Sequence, residues 1–331
     1  MVSPRVASPT KVGRAAAPTA VSRLIARRLG WAVVTAWFVV TATFALVTAV
    51  PADPAKALLG PHATPEAVER VRAHYCLDEG VAGRYGCWLA HVARGDLGES
   101  YASKRPVAEL IAARAWPTVQ LAVAAILLQL AIGVPLGLVA AARRGRWQAR
   151  AVSIAEIVGL SAPSFVVGSL VAYVFAYRFG WLPIAGYGDG LHDRLRHLVL
   201  PAFALAAFGA MYYAGVLRTE LSSELARDYV RTARAKGVGE RGVLLRHALR
   251  PAAGALVALI GTDLGVMLGG AVVVETLFAW PGLGRELLQA ILAVDLPVIA
   301  GGVMVAAIVV VTANLVADLA LLWLDPRLRD R

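Results

Sequence analysis

Residues 116–142 read WPTVQLAVAAILLQLAIGVPLGLVAAA, a stretch with no charged side chain that is closed by Arg143 and Arg144. About 20 residues of helix cross the hydrocarbon core of a bilayer, and only helices or closed barrels satisfy their backbone there. The stretch therefore predicts a transmembrane helix. Leu29–Ala52, Ile157–Tyr177, Leu198–Leu217 and Leu296–Ala317 are likewise uncharged, and Pro251–Val274 is interrupted only by Asp263. Composition agrees: 58% of residues are hydrophobic, 17% are charged, and the mean hydropathy is +0.64. Soluble domains average roughly 45–50% apolar and about 25% charged. A large soluble protein with buried helices rarely contains so many uncharged runs of this length. The expected fold class is an all-α integral membrane protein with six transmembrane helices.

Lys and Arg placement sets the orientation. Residues 1–28, 143–151, 218–250 and 325–331 hold 6, 4, 8 and 3 basic residues, and the first two contain no acid. The 51–115 loop is balanced, with 8 basic and 8 acidic residues. Both termini are therefore expected in the cytoplasm, with a long outer loop after helix 1. The resulting plan has a disordered cytoplasmic tail (1–28), a first span (29–52), an extracytoplasmic loop (53–115) and a transmembrane domain (116–324). The spans of that domain fall at about 116–142, 152–177, 198–217, 251–274 and 296–324, with a cytoplasmic loop at 218–250; residues 325–331 form a second tail. Arg27 and Arg28 precede an apolar run too long for an ordinary signal peptide, so a retained anchor is expected. The net charge of +11 reflects this topology. Membrane lipid is the implied partner, and no nucleic acid is, because no folded basic face is evident.

Both cysteines, Cys76 and Cys87, fall in the outer loop (YCLDEGVAGRYGC, 75–87). An oxidising compartment permits a disulfide, and in a loop of about 15 residues a bridge contributes about 3 kcal/mol. Two unpaired buried thiols are the other reading.

Catalytic signatures are missing. No G-x-x-x-x-G-K-[ST] or H-E-x-x-H occurs, and the four lysines (11, 56, 104 and 236) lack phosphate-loop context. None of the six histidines (62, 74, 91, 192, 197, 247) lies in a proposed span, and the outer ones show no metal-ligand spacing. No metal and no bound cofactor are expected. Ser161, in GLSAPSF, has no base nearby in sequence. Asp263 and Asp318 remain inside apolar helices, where a carboxylate costs about 2.5–3.5 kcal/mol and must face the bundle interior or a wet cavity. Asp263 is a candidate for a polar translocation path. Asn314, one turn before Asp318, is either a second path residue or that carboxylate's partner. Glu156 begins its span beside Arg150 and reads as an interfacial residue.

Within 218–250, GVGERG (237–242) fits G-x-G-x-x-G, the phosphate-cradling turn of dinucleotide-binding folds. That turn needs a buried strand before it and an acid about 20 residues on. Here an amphipathic helical pattern precedes it, and the distant acid is Asp263, inside a span. Leu221, Leu225, Tyr229 and Ala233 recur at helical spacing before Gly237; Val243, Leu244, His247 and Ala248 form one face after Gly242. Two short helices around a glycine turn, held just below the membrane, make a docking surface. A solvated linker is the alternative, and it has no use for apolar residues at helical spacing.

DYVRTARAKGVGERGVLLRHALR (228–250) resembles the cytoplasmic coupling loop of binding-protein-dependent ABC-transporter permeases of the dipeptide, oligopeptide and nickel class. GDLGES (95–100), GWLPIAGY (180–187), VVVETLFAWPGLGRELLQAI (272–291) and a last span of NLVADL type ending in DPR resemble that class in the same order. The resemblance runs from about Leu24 to Arg329. It implies a type I importer permease fold in the bacterial inner membrane. The implied partners are a second, related permease, two cytoplasmic ATPase subunits that bind ATP and Mg²⁺, and an extracytoplasmic binding protein. Thr232, Ala233, Ala235, Gly237 and Gly239 would lie in the part of the loop that docks into an ATPase groove. Arg246, His247 and Leu249 would form its return arm. The Glu-Ala-Ala of the class pattern is replaced by Arg231, Thr232 and Ala233, and Pro251 stands where the class usually has a polar residue.

The implied activity is transport driven by ATP hydrolysis on neighbouring subunits, with no catalytic residue on this chain. Peptides are the first expected substrate and nickel or a metal complex the second. An ion-coupled secondary transporter would need a midplane site between repeated halves, and no such repeat is found. A membrane enzyme would need the missing motifs.

Overall fold

The structure, a computed structural model, describes residues 18–49, 54–59 and 64–324. Most of the expected N-terminal tail, the whole C-terminal tail and His62 lie outside the described residues. Among the described residues every regular element is helical, apart from an isolated bridge between Glu99 and Pro106.

Helix α1 spans Pro18–Ala49 and so begins inside the segment expected to be a tail. Its lead-in, PTAVSRLIARR, is rich in good helix formers and has proline at the first turn. The expected outer loop carries three short helices: α2 (Pro54–Leu59), α3 (Pro65–His74) and α4 (Val81–Ala93). The Thr64 hydroxyl accepts the Ala67 N–H at 3.3 Å and caps α3. Cys76 and Cys87 are bridged, with Cα atoms 6.3 Å apart, which ties the end of α3 to α4. Phe44 on α1 packs against Tyr85 and Trp88 of α4 at ring distances of 5.1 and 5.5 Å. This outer layer is thereby fastened to the first span.

The two longest helices, α5 (Val107–Ala142) and α8 (Gly190–Leu225), form the central pair. Small residues let them close. A Cβ on Gly133 would lie 2.6 Å from the Ala210 carbonyl oxygen, and one on Gly137 would lie 2.9 Å from that of Ala214. This is small-residue packing at four-residue spacing, which membrane helices use where no hydrophobic drive between them exists.

The expected third span is broken. Helix α6 (Trp147–Ser161) meets α7 (Ser164–Val171), which continues as a π-turn through Ala172–Arg178, at a bend of 104°. Pro163 disfavours helical backbone at the preceding residue, and Ala162 is accordingly extended (φ −88°, ψ 118°). Uncharged length alone could not locate this break. Among the described residues, five helices are long and apolar enough to cross a membrane, and the bent pair makes a sixth if counted as one span.

Helices α9 (Asp228–Ala235) and α10 (Glu240–Gly242) follow α8; α10 passes through a π-turn at Val243–Ala248 into α11 (Leu249–Leu277). Helices α12 (Leu283–Leu292) and α13 (Leu296–Leu324) complete the chain, with α13 packed on α1 and α11. One core cluster groups Leu121, Leu205, Phe278 and Trp280; another groups Tyr213, Leu217, Leu221 and Leu256.

At the end opposite the basic loops, two motifs lock together. Asp295 is 2% exposed and accepts the Ser100 hydroxyl at 2.5 Å, the Tyr101 N–H at 3.0 Å and the Ala102 N–H at 3.2 Å. Fully buried Glu275 accepts the Thr118 hydroxyl at 2.7 Å and the Arg285 N–H at 2.9 Å. The Trp280 indole donates to the Pro117 carbonyl at 2.9 Å. GDLGES and the segment around AWPGLG thus cap the bundle with paired polar groups, as burial requires.

Candidate coupling loop and membrane cavity

The loop at the basic end is a helical hairpin with its own small core. Val230 and Ala233 of α9 bury against Val243, with Leu225 and Val238 packed around them. Ahead of it, Glu224 is buried and bound by two groups: Tyr229 donates its hydroxyl at 2.5 Å, and Arg227 pairs at 2.9 Å. These contacts fix the entry of α9 to the end of α8. The Lys236 N–H bonds the Thr232 carbonyl at 3.0 Å and the Gly237 N–H bonds that of Arg234 at 2.9 Å, closing the helix. Gly237 then takes φ +80°, a left-handed conformation open to glycine at no steric cost. Across the turn, Arg234 grips Glu240 with two bonds, at 2.8 and 3.1 Å. The hydrogen bond from Arg234 and its charge outweigh a small desolvation and hold the Glu240 carboxyl below its ordinary range.

The predicted docking residues divide by position. Thr232, Ala235, Gly237, Gly239 and Arg246 are exposed on the hairpin. Ala233 is instead buried in the hairpin core, and Leu249 packs on the core cluster of α8 and α11. His247 is half-buried, its carbonyl accepting the Tyr229 hydroxyl at 3.4 Å. Gly239, at φ −63°, ψ 154°, is ordinary extended backbone preceding α10. GVGERG is therefore one left-handed residue followed by a helix start, with no strand before it.

A half-open cavity of about 340 Å³ lies between α5, the α6–α7 bend, α8 and α11. Gln129, Ser161, Ser164, Phe208 and Asp263 line it. Gln129 lies over Gly209, where a Cβ would fall 2.0 Å from its amide nitrogen. Among the described residues, one Asp263 carboxylate oxygen and the Gln129 amide oxygen are buried without a hydrogen-bond partner. The Tyr213 hydroxyl faces the Asp263 carboxylate. Buried polar groups left open toward a cavity suit a solute or water that passes through.

Asn314 does not line the cavity; its Oδ1 is 3.7 Å from where a Gly261 Cβ would sit, between α13 and α11. The side chain of Asp318 lies outside the described residues. Glu156 pairs with Arg218 of α8 through contacts of 3.3 and 3.0 Å, not with Arg150. Ser161 spends its hydroxyl on the Ile157 carbonyl at 2.8 Å. Sequence reasoning had assigned no role to Asp295, Glu275 or Thr118. The Ser100–Asp295 and Thr118–Glu275 contacts join residues more than 150 positions apart.

A bundle of spans with a braced hairpin at its basic end and polar groups lining a half-open cavity suits a membrane transport subunit. Residues 133–330 match the family of binding-protein-dependent transport system inner membrane components, and residues 21–122 match the N-terminal region of such membrane components. The chain is 39% identical over 309 residues to a putative peptide transport system permease protein of Brucella abortus (strain 2308), covering 92% of this chain and 98% of that protein. It is 36% identical over 305 residues to a glutathione transport system permease protein of Escherichia coli O6:H1, with coverage of 92% and 98%. The chain belongs to the binding-protein-dependent transport system inner membrane component family. It is a multi-pass permease subunit of a type I ABC importer in the bacterial inner membrane, and it is not an enzyme. Family membership implies an ATPase and a solute-binding protein as partners.

Proposed function

We propose that this chain imports peptides, dipeptides or oligopeptides first, through a pathway shared with a second homologous permease. In this reading two ATPase subunits bind ATP and Mg²⁺, one of them gripping the 228–250 hairpin, and an extracytoplasmic binding protein delivers the solute. The observation that carries it is the hairpin itself: an exposed apex braced on α8 by Glu224 and continuous with α11. ATP moves the gate only if the two conformations differ in free energy with and without it, and a rigid docked element transmits that difference. The names of the similar permeases support peptide cargo.

Asp263 is the proposed contact for a cationic group of the solute, such as a peptide ammonium, with Gln129 offering a neutral acceptor beside it. Reconstitution of the full complex into vesicles tests both statements. Peptide accumulation should require ATP and the binding protein, and Asp263→Asn should reduce uptake by tenfold or more with the complex still assembled. Accumulation driven by a proton or sodium gradient without the ATPases would overturn the proposal.

A further inference from the structure

The outer layer brings together three side chains that its sequence keeps apart. His74 ends α3, His91 lies one turn beyond Cys87 on α4, and Asp96 follows that helix. One ligand atom from each lies within 4.8 Å of the others. His91 Nδ1 is 2.8 Å from Asp96 Oδ2, and the two imidazole rings are centred 5.0 Å apart. We propose that His74, His91 and Asp96 bind one divalent transition-metal ion of borderline softness, with Zn²⁺ the best fit.

Two imidazoles and a carboxylate are a donor set that suits Zn²⁺, with bonds of about 2.0–2.2 Å and a fourth position left for water. Two donors on one tetrahedral ion stand roughly 3.4 Å apart at such bond lengths. The His91–Asp96 pair therefore opens by a few tenths of an ångström when the metal replaces the proton between them. His74 is exposed at its helix end, with room to turn its ring inward.

The surroundings hold the donors. The Gly98 N–H binds the other Asp96 oxygen at 2.9 Å and orients the carboxylate, as outer-shell groups do around metal ligands. The Asp96 N–H bonds the His91 carbonyl at 3.0 Å, fixing the step between the two ligands. The Cys76–Cys87 bridge joins the two helices two residues after His74 and four before His91. Tyr75 flanks both rings, at 4.7 Å from His74 and 5.8 Å from His91. A cavity of about 120 Å³ beside His91 and Asp96 provides access. Bound metal would join α3, α4 and the start of GDLGES into one unit on the outer face. This inference does not depend on the transported solute.

The test uses full-length permease, purified without a histidine tag, stripped with chelator and placed in lipid nanodiscs. Calorimetric titration with Zn²⁺ should give one tight equivalent, and Co²⁺ should give the absorption of a nitrogen–oxygen site. His74→Ala and Asp96→Asn should each weaken that equivalent by tenfold or more. Non-reducing peptide mapping of the Cys76–Cys87 bridge checks that both variants keep their outer layer. Absence of a tight equivalent in the wild type, or binding unchanged in either His74→Ala or Asp96→Asn, would overturn the assignment.

Discussion

Gly237 and Gly239 stand two residues apart in one turn but carry different constraints. Gly237 holds φ +80°, where any other residue pays about 1–2 kcal/mol and a β-branched one more. Gly239 is extended at φ −63°, with nothing within 4 Å of a Cβ. Gly237→Val should therefore distort the apex, cutting ATPase co-purification and uptake several-fold while membrane insertion persists. Gly239→Ser should leave both near wild type, because serine suits the residue preceding a helix. Equal losses in the two variants, measured by pull-down of the ATPase, would refute this division. The Arg234–Glu240 pair that closes the turn has a defined pH response. Glu240 titrates below its ordinary value of 4.5, so its contribution is present above that value and is lost as pH falls through the depressed one. Amide exchange across 236–242 should accelerate in that acidic window, and Glu240→Gln should exchange faster at neutral pH without the acid-induced rise.

Element by element, the α5–α8 contact is the most extensive among the described helices, and its close approach is legible as the spacing GVPLG (133–137). Backbone approach there leaves no room for a side chain: Gly133→Val would place new atoms against the Ala210 carbonyl, within 2.6 Å at Cβ. Overpacking of this kind costs about 1–3 kcal/mol. The expected result is a lower midpoint of thermal unfolding in detergent and a lower yield. The break between α6 and α7 has the opposite history. Its proline is plain in the sequence, but a proline kinks some membrane helices and ends others. Pro163 biases Ala162 toward extended backbone, and the packing of α7 on α8 and α11 fixes the break at the observed bend. Ala233 and Leu249 show a similar limit. Their place in a docking motif is legible, whereas their inward direction follows from the closing of α9 on the π-turn at Val243–Ala248 and of α11 on α8.

For the whole molecule, helix α11 joins the three functional levels. It leaves the hairpin at Leu249, carries Asp263 at the cavity and ends beyond Glu275 in the cap of the far end. At 1.5 Å per residue, the path from Leu249 to Glu275 is about 39 Å, a length on the scale of the bilayer. Movement at the hairpin is thus mechanically continuous with the cavity and the outer cap. The outer layer, by contrast, is fastened by Phe44, Asp295 and the disulfide, far along the chain from the hairpin. Replacing Cys76 and Cys87 by serine removes a constraint worth about 3 kcal/mol in a loop of this size. ATPase co-purification should be unchanged, while uptake dependent on the binding protein should fall. Loss of ATPase binding in that variant would contradict the separation of the two ends.

The sequence by itself determined the helical class, the approximate spans, the basic end and the helix–turn–helix character of 218–250. Those properties follow from uninterrupted apolar length, charge placement and local periodicity, each written within a few tens of residues. Tertiary structure decided the broken third span, the burial of Ala233, the pairing of Glu156 with Arg218 and the capture of Ser100 by Asp295. It also brought His74, His91 and Asp96 to one place. Each of these depends on which segments meet after the helices pack, and a linear spacing carries no record of that meeting. The glycine turn lies between the two cases: its local shape was legible, and its role follows from what braces it.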